Sequence, residues 1–315
     1  MNRKIFVSVL FIISVNANIF SQITDDSQTK KLSTITTDTI VGWKFGAMAG
    51  FNFAQTKLVN WAAGGHSSVA LGGIFSAYAN YFKGKNSLIN TLDLGYGVLN
   101  QSGVQPPMRK WQKTDDKINF SSQYGYKAYK KLYYAALLDF KTQFTNGYDN
   151  TGKRISSFFA PAYLTAGVGI SYQPSQYVNV FFSPATARVV IVNDTSLTSN
   201  YSIEAGKKAR FEFGAYARAQ FTKNDFKTEL LKNVGVTTRL DLFSNYLKNP
   251  QNITVTWETL IAFKVNKYIS INLSTNLMYD DNTKMSILDS NGVEIGKEPR
   301  VQFKEILGIG ASVKL

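Results

Sequence analysis

Ile269-Ser270-Ile271-Asn272-Leu273-Ser274-Thr275-Asn276-Leu277-Met278-Tyr279-Asp280 decides the fold. Its odd positions are apolar or β-branched and its even positions polar, with Met278 the one break. Period two is the side-chain repeat of a β-strand, so this segment has an apolar face and a polar face. The preceding segment repeats the pattern, with Ile253, Val255, Trp257, Thr259, Ile261, Phe263 and Val265 set against Thr254, Thr256, Glu258, Ala262 and Lys264. Both runs exceed the ~5–6 residues of ordinary strands. They suit the ~9–11 residues that a tilted strand needs to cross a bilayer.

The same alternation extends back to Trp43 and forward to Leu315, and twelve such strands are expected. The connections alternate long and short. Gly84–Lys85, Lys130–Lys131, Pro174–Gln176, Lys223–Asp225 and Asn266–Lys267 are the short ones. The long ones include Gln101–Thr114, Thr145–Ser157 and Asp281–Arg300. Short periplasmic turns, longer extracellular loops and an even strand count are the pattern of bacterial outer-membrane barrels. The expected fold is therefore all-β, a transmembrane antiparallel β-barrel of about twelve strands spanning residues 41–315. Aromatics beside the short turns, such as Tyr81 with Phe82 and Tyr172 with Tyr177, fall where an interfacial girdle belongs. A soluble sandwich would leave twelve long amphipathic strands without a reason.

Residues 1–21 are expected to be a signal peptide. Arg3 and Lys4 precede an apolar core from Ile5 to Val15, with Ser21 at the cleavage point. That core is too short for the ~20 residues of a spanning helix. Residues 22–40, rich in Ser, Thr, Asp and Lys, are expected to form a flexible periplasmic lead-in. The chain has no Cys, which excludes disulfides, thiolate chemistry and a lipidated cysteine. Its formal charge of +14 is unaccompanied by any nucleic-acid-reading motif, so no nucleic-acid partner is expected. Outer-membrane lipid and lipopolysaccharide are the expected surroundings, with other envelope proteins as further partners. The expected location is the outer membrane of a Gram-negative cell.

Several short motifs carry a resemblance. Asn60-Trp61-Ala62-Ala63-Gly64-Gly65, Lys113-Thr114-Asp115-Asp116-Lys117 and Lys141-Thr142-Gln143-Phe144 with Gly147-Tyr148 are three of them. Phe158-Phe159-Ala160-Pro161-Ala162-Tyr163 and Ser183-Pro184-Ala185-Thr186 are the others. Together they resemble an uncharacterised Bacteroidota-type outer-membrane protein family, a domain-of-unknown-function family, from about Val41 to Leu315. The resemblance implies the same barrel class and outer-membrane home. It brings no activity and no catalytic residues.

The polar faces place Asp93, Asp139, Lys141, Arg210, Glu212, Arg218, Arg239, Asp241, Glu258 and Lys264 in the lumen as candidate selectivity residues. Charges of both signs point to a salt-bridged interior, since wide aqueous lumens belong to barrels of ~16–18 strands. Asn60, Trp61, Gly64, Gly65 and His66 are candidates for a folded or docking loop, Gly64-Gly65 permitting close backbone approach and Trp61 anchoring it. His66 is the sole histidine. Beside Ser67, Ser68 and Asn60 it is the one basis for a lipid-hydrolase reading similar to outer-membrane phospholipase. Ser67 points away from it on an extended strand, so an ordinary loop histidine is the plainer reading. Asp115-Asp116 and Asp280-Asp281 offer hard oxygen ligands for Ca²⁺ but lack a calcium-loop pattern. No catalytic residue, metal or cofactor is expected. A structural or assembly component that docks partners through its loops is the leading expectation, with a narrow small-solute channel second and a lipid-modifying enzyme third.

Overall fold

The computed structural model describes residues 41–59, 66–106, 109–149, 151–175, 177–223, 225–265, 269–288 and 294–314. Residues 1–40, with the expected signal peptide and lead-in, lie outside them, as do Asn60, Trp61, Gly64 and Gly65. The first barrel strands are β1 (Gly42–Thr56), β2 (Ser68–Lys83), β3 (Asn86–Gln101), β4 (Trp111–Tyr129) and β5 (Leu132–Thr142). A small hairpin, β6 (Gly147–Tyr148) and β7 (Arg154–Ser156), follows. Next come β8 (Ala162–Ser175), β9 (Val178–Ile191), a 3₁₀ turn η1 (Thr195–Tyr201), β10 (Ala209–Lys223), β11 (Val234–Asn245), β12 (Ile253–Lys264) and β13 (Ile269–Tyr279). A second hairpin, β14 (Lys284–Leu288) and β15 (Glu294–Pro299), precedes β16 (Gln302–Lys314).

Among the described residues, twelve strands close into one barrel in the order β1-β16-β13-β12-β11-β10-β9-β8-β5-β4-β3-β2. Every neighbour pair is antiparallel, and each follows chain order once the two hairpins are set aside. The outer face carries exposed apolar side chains on every side, among them Phe45, Phe53, Tyr134, Val168, Phe211 and Phe303. Trp43 packs at a tilt of 47° against Tyr81 across β1 and β2 with ring centroids 5.2 Å apart, beside the Gly84 turn. That turn needs a positive φ, which Gly84 supplies at 58°.

Two boundaries depart from the periodicity. β4 begins at Trp111, so Lys113-Thr114-Asp115-Asp116-Lys117 is strand rather than loop. A register shift at Gly97/Val98 breaks its alternation there and hides the strand from a period-two reading. β11 starts at Val234, and Leu230 lies in the preceding turn, 82 % exposed. The chain between Lys223 and Val234 is consequently longer than a tight turn, although it belongs to the short-turn end. Three of the long connections carry folded elements among the described residues. β6–β7, η1 and β14–β15 all lie in them, and Ala160, Val192, Leu197 and Ile203 form a small buried cluster.

β9 reads irregularly because of a bulge. Asn179, Phe181 and Ser183 are buried at odd positions, then Thr186, Arg188 and Val190 at even ones. The register shifts on both neighbours at this point, between Val168 and Ile170 of β8 and between Gly214 and Tyr216 of β10. Ser183 Oγ donates to the carbonyls of Val168 at 2.8 Å and Ala185 at 3.0 Å, and Thr186 Oγ1 donates to Ser183 Oγ at 2.7 Å. The extra residue restores the inward aim of the strand's upper half. Gly169 lies opposite, where an added Cβ would sit 1.9 Å from the Phe182 carbonyl oxygen.

Candidate functional site

The lumen is where this sequence concentrates charge. Cross-strand neighbours on one face come as opposite charges, Arg188 beside Glu212, Arg218 beside Asp241 and Arg239 beside Glu258. Such placement lets buried ions pair as the strands zip together. Arg218 is the hub. Its Nη2 reaches Asp139 Oδ2 on β5 at 2.6 Å, and its Nε reaches Asp241 Oδ1 on β11 at 2.7 Å. β5 stands three strands from β10 in the barrel, so this side chain ties separated parts of the wall. Arg239 lies 3.1 Å from Asp241 and 3.0 Å from Glu258, and Tyr216 donates to Asp241 at 2.8 Å.

A second group lies nearer the long-loop end. Glu212, with no exposure, accepts from Arg188 and pairs with Arg210 at 3.1 Å. Arg188 also donates to Thr254 at 3.4 Å, stands 3.9 Å from Asp280 and covers the Phe243 ring at 4.2 Å. Arg210 donates to the Tyr201 carbonyl, which fastens η1 to the barrel wall. Burial pushes the Tyr201 phenol up to about 12, so it stays a neutral donor, here to the Ile155 carbonyl at 3.4 Å.

A cavity of ≈ 480 Å³ adjoins these groups, lined by Asp139, Lys141, Arg188, Arg218, Asp241 and Glu258 among others. Lys141 stands in the field of Glu258, Asp241 and Asp139, with Arg239 opposing them. Ala135, Leu137, Phe181, Tyr216 and Phe243 form a buried apolar cluster in contact with the network through Tyr216.

Not every candidate residue joins this site. Asp93 accepts from Ser76 at 2.5 Å and is absent from the cavity lining. Lys264 is exposed at the short-turn rim, because β12 ends there. His66 is exposed, and the neighbouring Ser67 Oγ accepts from the Leu58 N–H at 3.0 Å and donates to the Leu58 carbonyl at 3.4 Å. The Asp115-Asp116 pair is not an outer-loop ligand set. Asp115 lines the cavity 3.7 Å from Lys304. Asp116 accepts from Lys113 at 2.9 Å and from the Phe144 and Thr145 N–H groups at 2.6 and 2.9 Å, holding the start of the long connection. Asp281 accepts from Asn252 at 2.7 Å and Asp280 from the Asn282 N–H at 2.9 Å. Among the described residues, no group of three metal-ligating side chains is assembled.

Periodicity missed Arg188, Asp115 and Lys304 as lumen residues, whereas it set Tyr216 and Asp280 on the polar face without singling them out. Arg188 follows the bulge, where counting by twos assigns the wrong face. Pro184 was the available signal, since a proline inside a strand marks a bulge or an edge.

Antiparallel barrels of this kind are the class that the fold defines. Residues 53–148, from the end of β1 to β6, match a family described as "Protein of unknown function (DUF3078)". No curated protein matches the chain. Similar solved structures include the COG4313 outer membrane channel from Pseudomonas putida F1. It is 10% identical, with a TM-score of 0.41 over 88% of this chain and 97% of that one. The beta domain of the Bordetella autotransporter BrkA is also similar, at 10% identity and a TM-score of 0.32 over 85% and 98% of the two chains. At these values neither assigns a residue role or an activity.

Proposed function

We propose that the chain is an outer-membrane β-barrel that works as a docking or assembly component, its lumen held shut rather than conducting. The apolar outer face and the strand lengths support membrane insertion. The short turns then face the periplasm and the long connections the exterior. The observation that carries the reading is the Arg218 bridge from β10 to both Asp139 and Asp241, beside the buried cluster of Leu137, Phe181 and Phe243. Paired, dehydrated charges next to packed apolar groups make a septum, whereas a conducting pore keeps its charges in water. The packed long connections supply an ordered outward surface for partners. Planar-bilayer recording of the refolded protein tests this reading, which requires a silent inserted barrel.

A narrow channel for small solutes is the second reading. The ≈ 480 Å³ cavity with its charged lining favours it. Steady conductance altered by Arg218→Ala or Arg239→Ala would establish it.

A further inference from the structure

The two ends of the barrel treat charge differently. At the long-loop end cations are matched within the molecule. Lys113 pairs with Asp116 at 2.9 Å, Lys207 with Glu204 at 2.6 Å, and Arg154 with Asp194. At the short-turn end, Lys223 lies 3.1 Å from Asp225, and Lys232 pairs with Glu229. The hairpins β2–β3, β4–β5 and β8–β9, consecutive in the wall, supply no such partner at that end. Their short-turn halves, residues 78–92, 119–138 and 168–182, contain no Asp or Glu. They hold Lys83, Lys85, Lys127, Lys130 and Lys131, all exposed. The Lys127 N–H donates to the Lys85 carbonyl at 2.8 Å and the Gln173 N–H to the Lys131 carbonyl at 2.9 Å, which ties the three turns side by side.

These lysines stand among outward aromatic rings. Lys83, Asn86, Tyr126, Tyr134 and Ile170 are consecutive cross-strand partners on β2, β3, β4, β5 and β8, so they share one face. Tyr126, Tyr134 and Ile170 are exposed, which makes that face the outer one. Lys85 Nζ lies 5.9 Å from the Tyr126 ring centroid, and Lys130 Nζ 5.1 Å from that of Tyr129. Tyrosines on a lipid-facing surface mark the level of the headgroups. Lysine stems run along apolar surface and carry their ammonium groups to that level. A soluble protein docked beneath the barrel would meet its end, whereas Lys83 lies on its side.

We propose that this side of the short-turn rim is a binding site for phospholipids whose headgroup carries a net negative charge. The proposal rests on the membrane insertion of the barrel and holds whether or not the lumen conducts. The ammonium groups pair with phosphate diester oxygens, and the tyrosine rings lie against the upper acyl chains. Lys131 donates to the Pro174 carbonyl, which fixes it at the turn and leaves two N–H groups for lipid. A zwitterionic headgroup brings its own cation to the phosphate and gains less.

The test uses the full-length barrel in phosphatidylcholine vesicles. A trace of phosphatidylglycerol or phosphatidylcholine, spin-labelled on the acyl chain, reports by EPR the fraction of each lipid held against the protein. Phosphatidylglycerol is expected to be enriched at least ~2-fold over phosphatidylcholine. The preference is expected to vanish at about 1 M salt, where charges are screened beyond ~3 Å. Lys83→Gln, Lys85→Gln, Lys127→Gln and Lys130→Gln combined are expected to abolish it, and arginine at the same four positions to keep it. Glutamine at Lys57, Lys153, Lys208 and Lys248, on the long connections, removes as many charges and is expected to leave it unchanged. No preference in the unaltered barrel, a preference that survives glutamine at the rim, or an equal loss in both glutamine variants would overturn the proposal. Soluble poly-glutamate that binds the barrel in the absence of any lipid preference would overturn it in favour of an acidic protein partner. Held lipid without preference removes this site alone, whereas no held lipid of either kind overturns membrane insertion with it.

Discussion

Arg218 holds two carboxylates from different walls of the lumen, and its own exposure is 6 %. Removing it leaves Asp139 and Asp241 facing one another in a poorly hydrated interior, although Arg239 still neutralises part of Asp241. Breaking one partner of a buried pair typically costs ~3–5 kcal/mol. Arg218→Met is expected to lower barrel stability by about that amount, read as a shift in the urea midpoint of refolding into lipid vesicles. Arg218→Lys, which cannot bridge both carboxylates in the same planar geometry, is expected to fall between the two. Gly169 makes a different demand. With the Phe182 carbonyl 1.9 Å from its would-be Cβ, Gly169→Ala must push backbone apart, and a loss of ~1–3 kcal/mol is expected in the same assay. Asp194 caps η1, accepting from the Ser196 N–H at 3.0 Å and the Ser196 hydroxyl at 2.6 Å. The Ser196 hydroxyl foremost, then its N–H and Arg154, hold the Asp194 carboxyl below the usual carboxylate range despite a small opposing desolvation. A carboxyl lowered in the folded state stabilises above its unfolded pKa and loses that contribution as pH falls through the lowered value. The Ser196 amide resonance is therefore expected to stay fixed from neutral pH down to the ordinary Asp range and to move only below it. Movement at or above pH ~4 would contradict the cap.

At the scale of elements, the bulge in β9 decides which residues line the lumen. Inserting one alanine after Thr186 shifts the strand's upper half by a single residue, which turns Arg188 outward and strands Glu212 without its nearest cation. That variant is expected not to fold, seen as loss of the compact, fast-migrating form on a gel run without heating. Pro184→Ala is expected to cost less than ~1 kcal/mol, because Ser183 and Thr186 already fix the turn of the backbone. The contrast between the two shows what a sequence can disclose. Alternation in Phe211–Phe221 and Ile253–Phe263 gave both faces correctly, as the exposed Phe211, Trp257 and Ile261 and the buried Glu212, Arg218 and Leu260 attest. Where register shifts intervene, at Gly97/Val98 and Ser183/Thr186, the same counting lost the start of β4 and the inward aim of Arg188. The folded hairpins in the long connections escaped notice for another reason. β6 and β7 are too short for any period, and η1 is held by side-chain contacts such as Arg210 to the Tyr201 carbonyl.

For the whole molecule, opposite charges placed on adjacent strands have one physical consequence. Each pair forms only when register is correct, so the network favours one closure of the barrel over a slipped one. Arg218–Asp241, Arg239–Glu258 and Arg188–Glu212 could be paired from the sequence once register was known, whereas Arg218–Asp139 depends on the curvature of the closed wall. The membrane reading rests on the exposed apolar side chains of the outer face. The Arg218 bridge and the packed cluster beside it imply a shut lumen. Single-channel recording of the refolded, full-length chain in a planar bilayer tests it most directly. Inserted protein with no conductance steps is the predicted result, and Arg218→Ala is expected to open small, flickering steps as the septum loosens. Steady, well-defined conductance from the unaltered protein would contradict the account and make the charged cavity a selectivity filter.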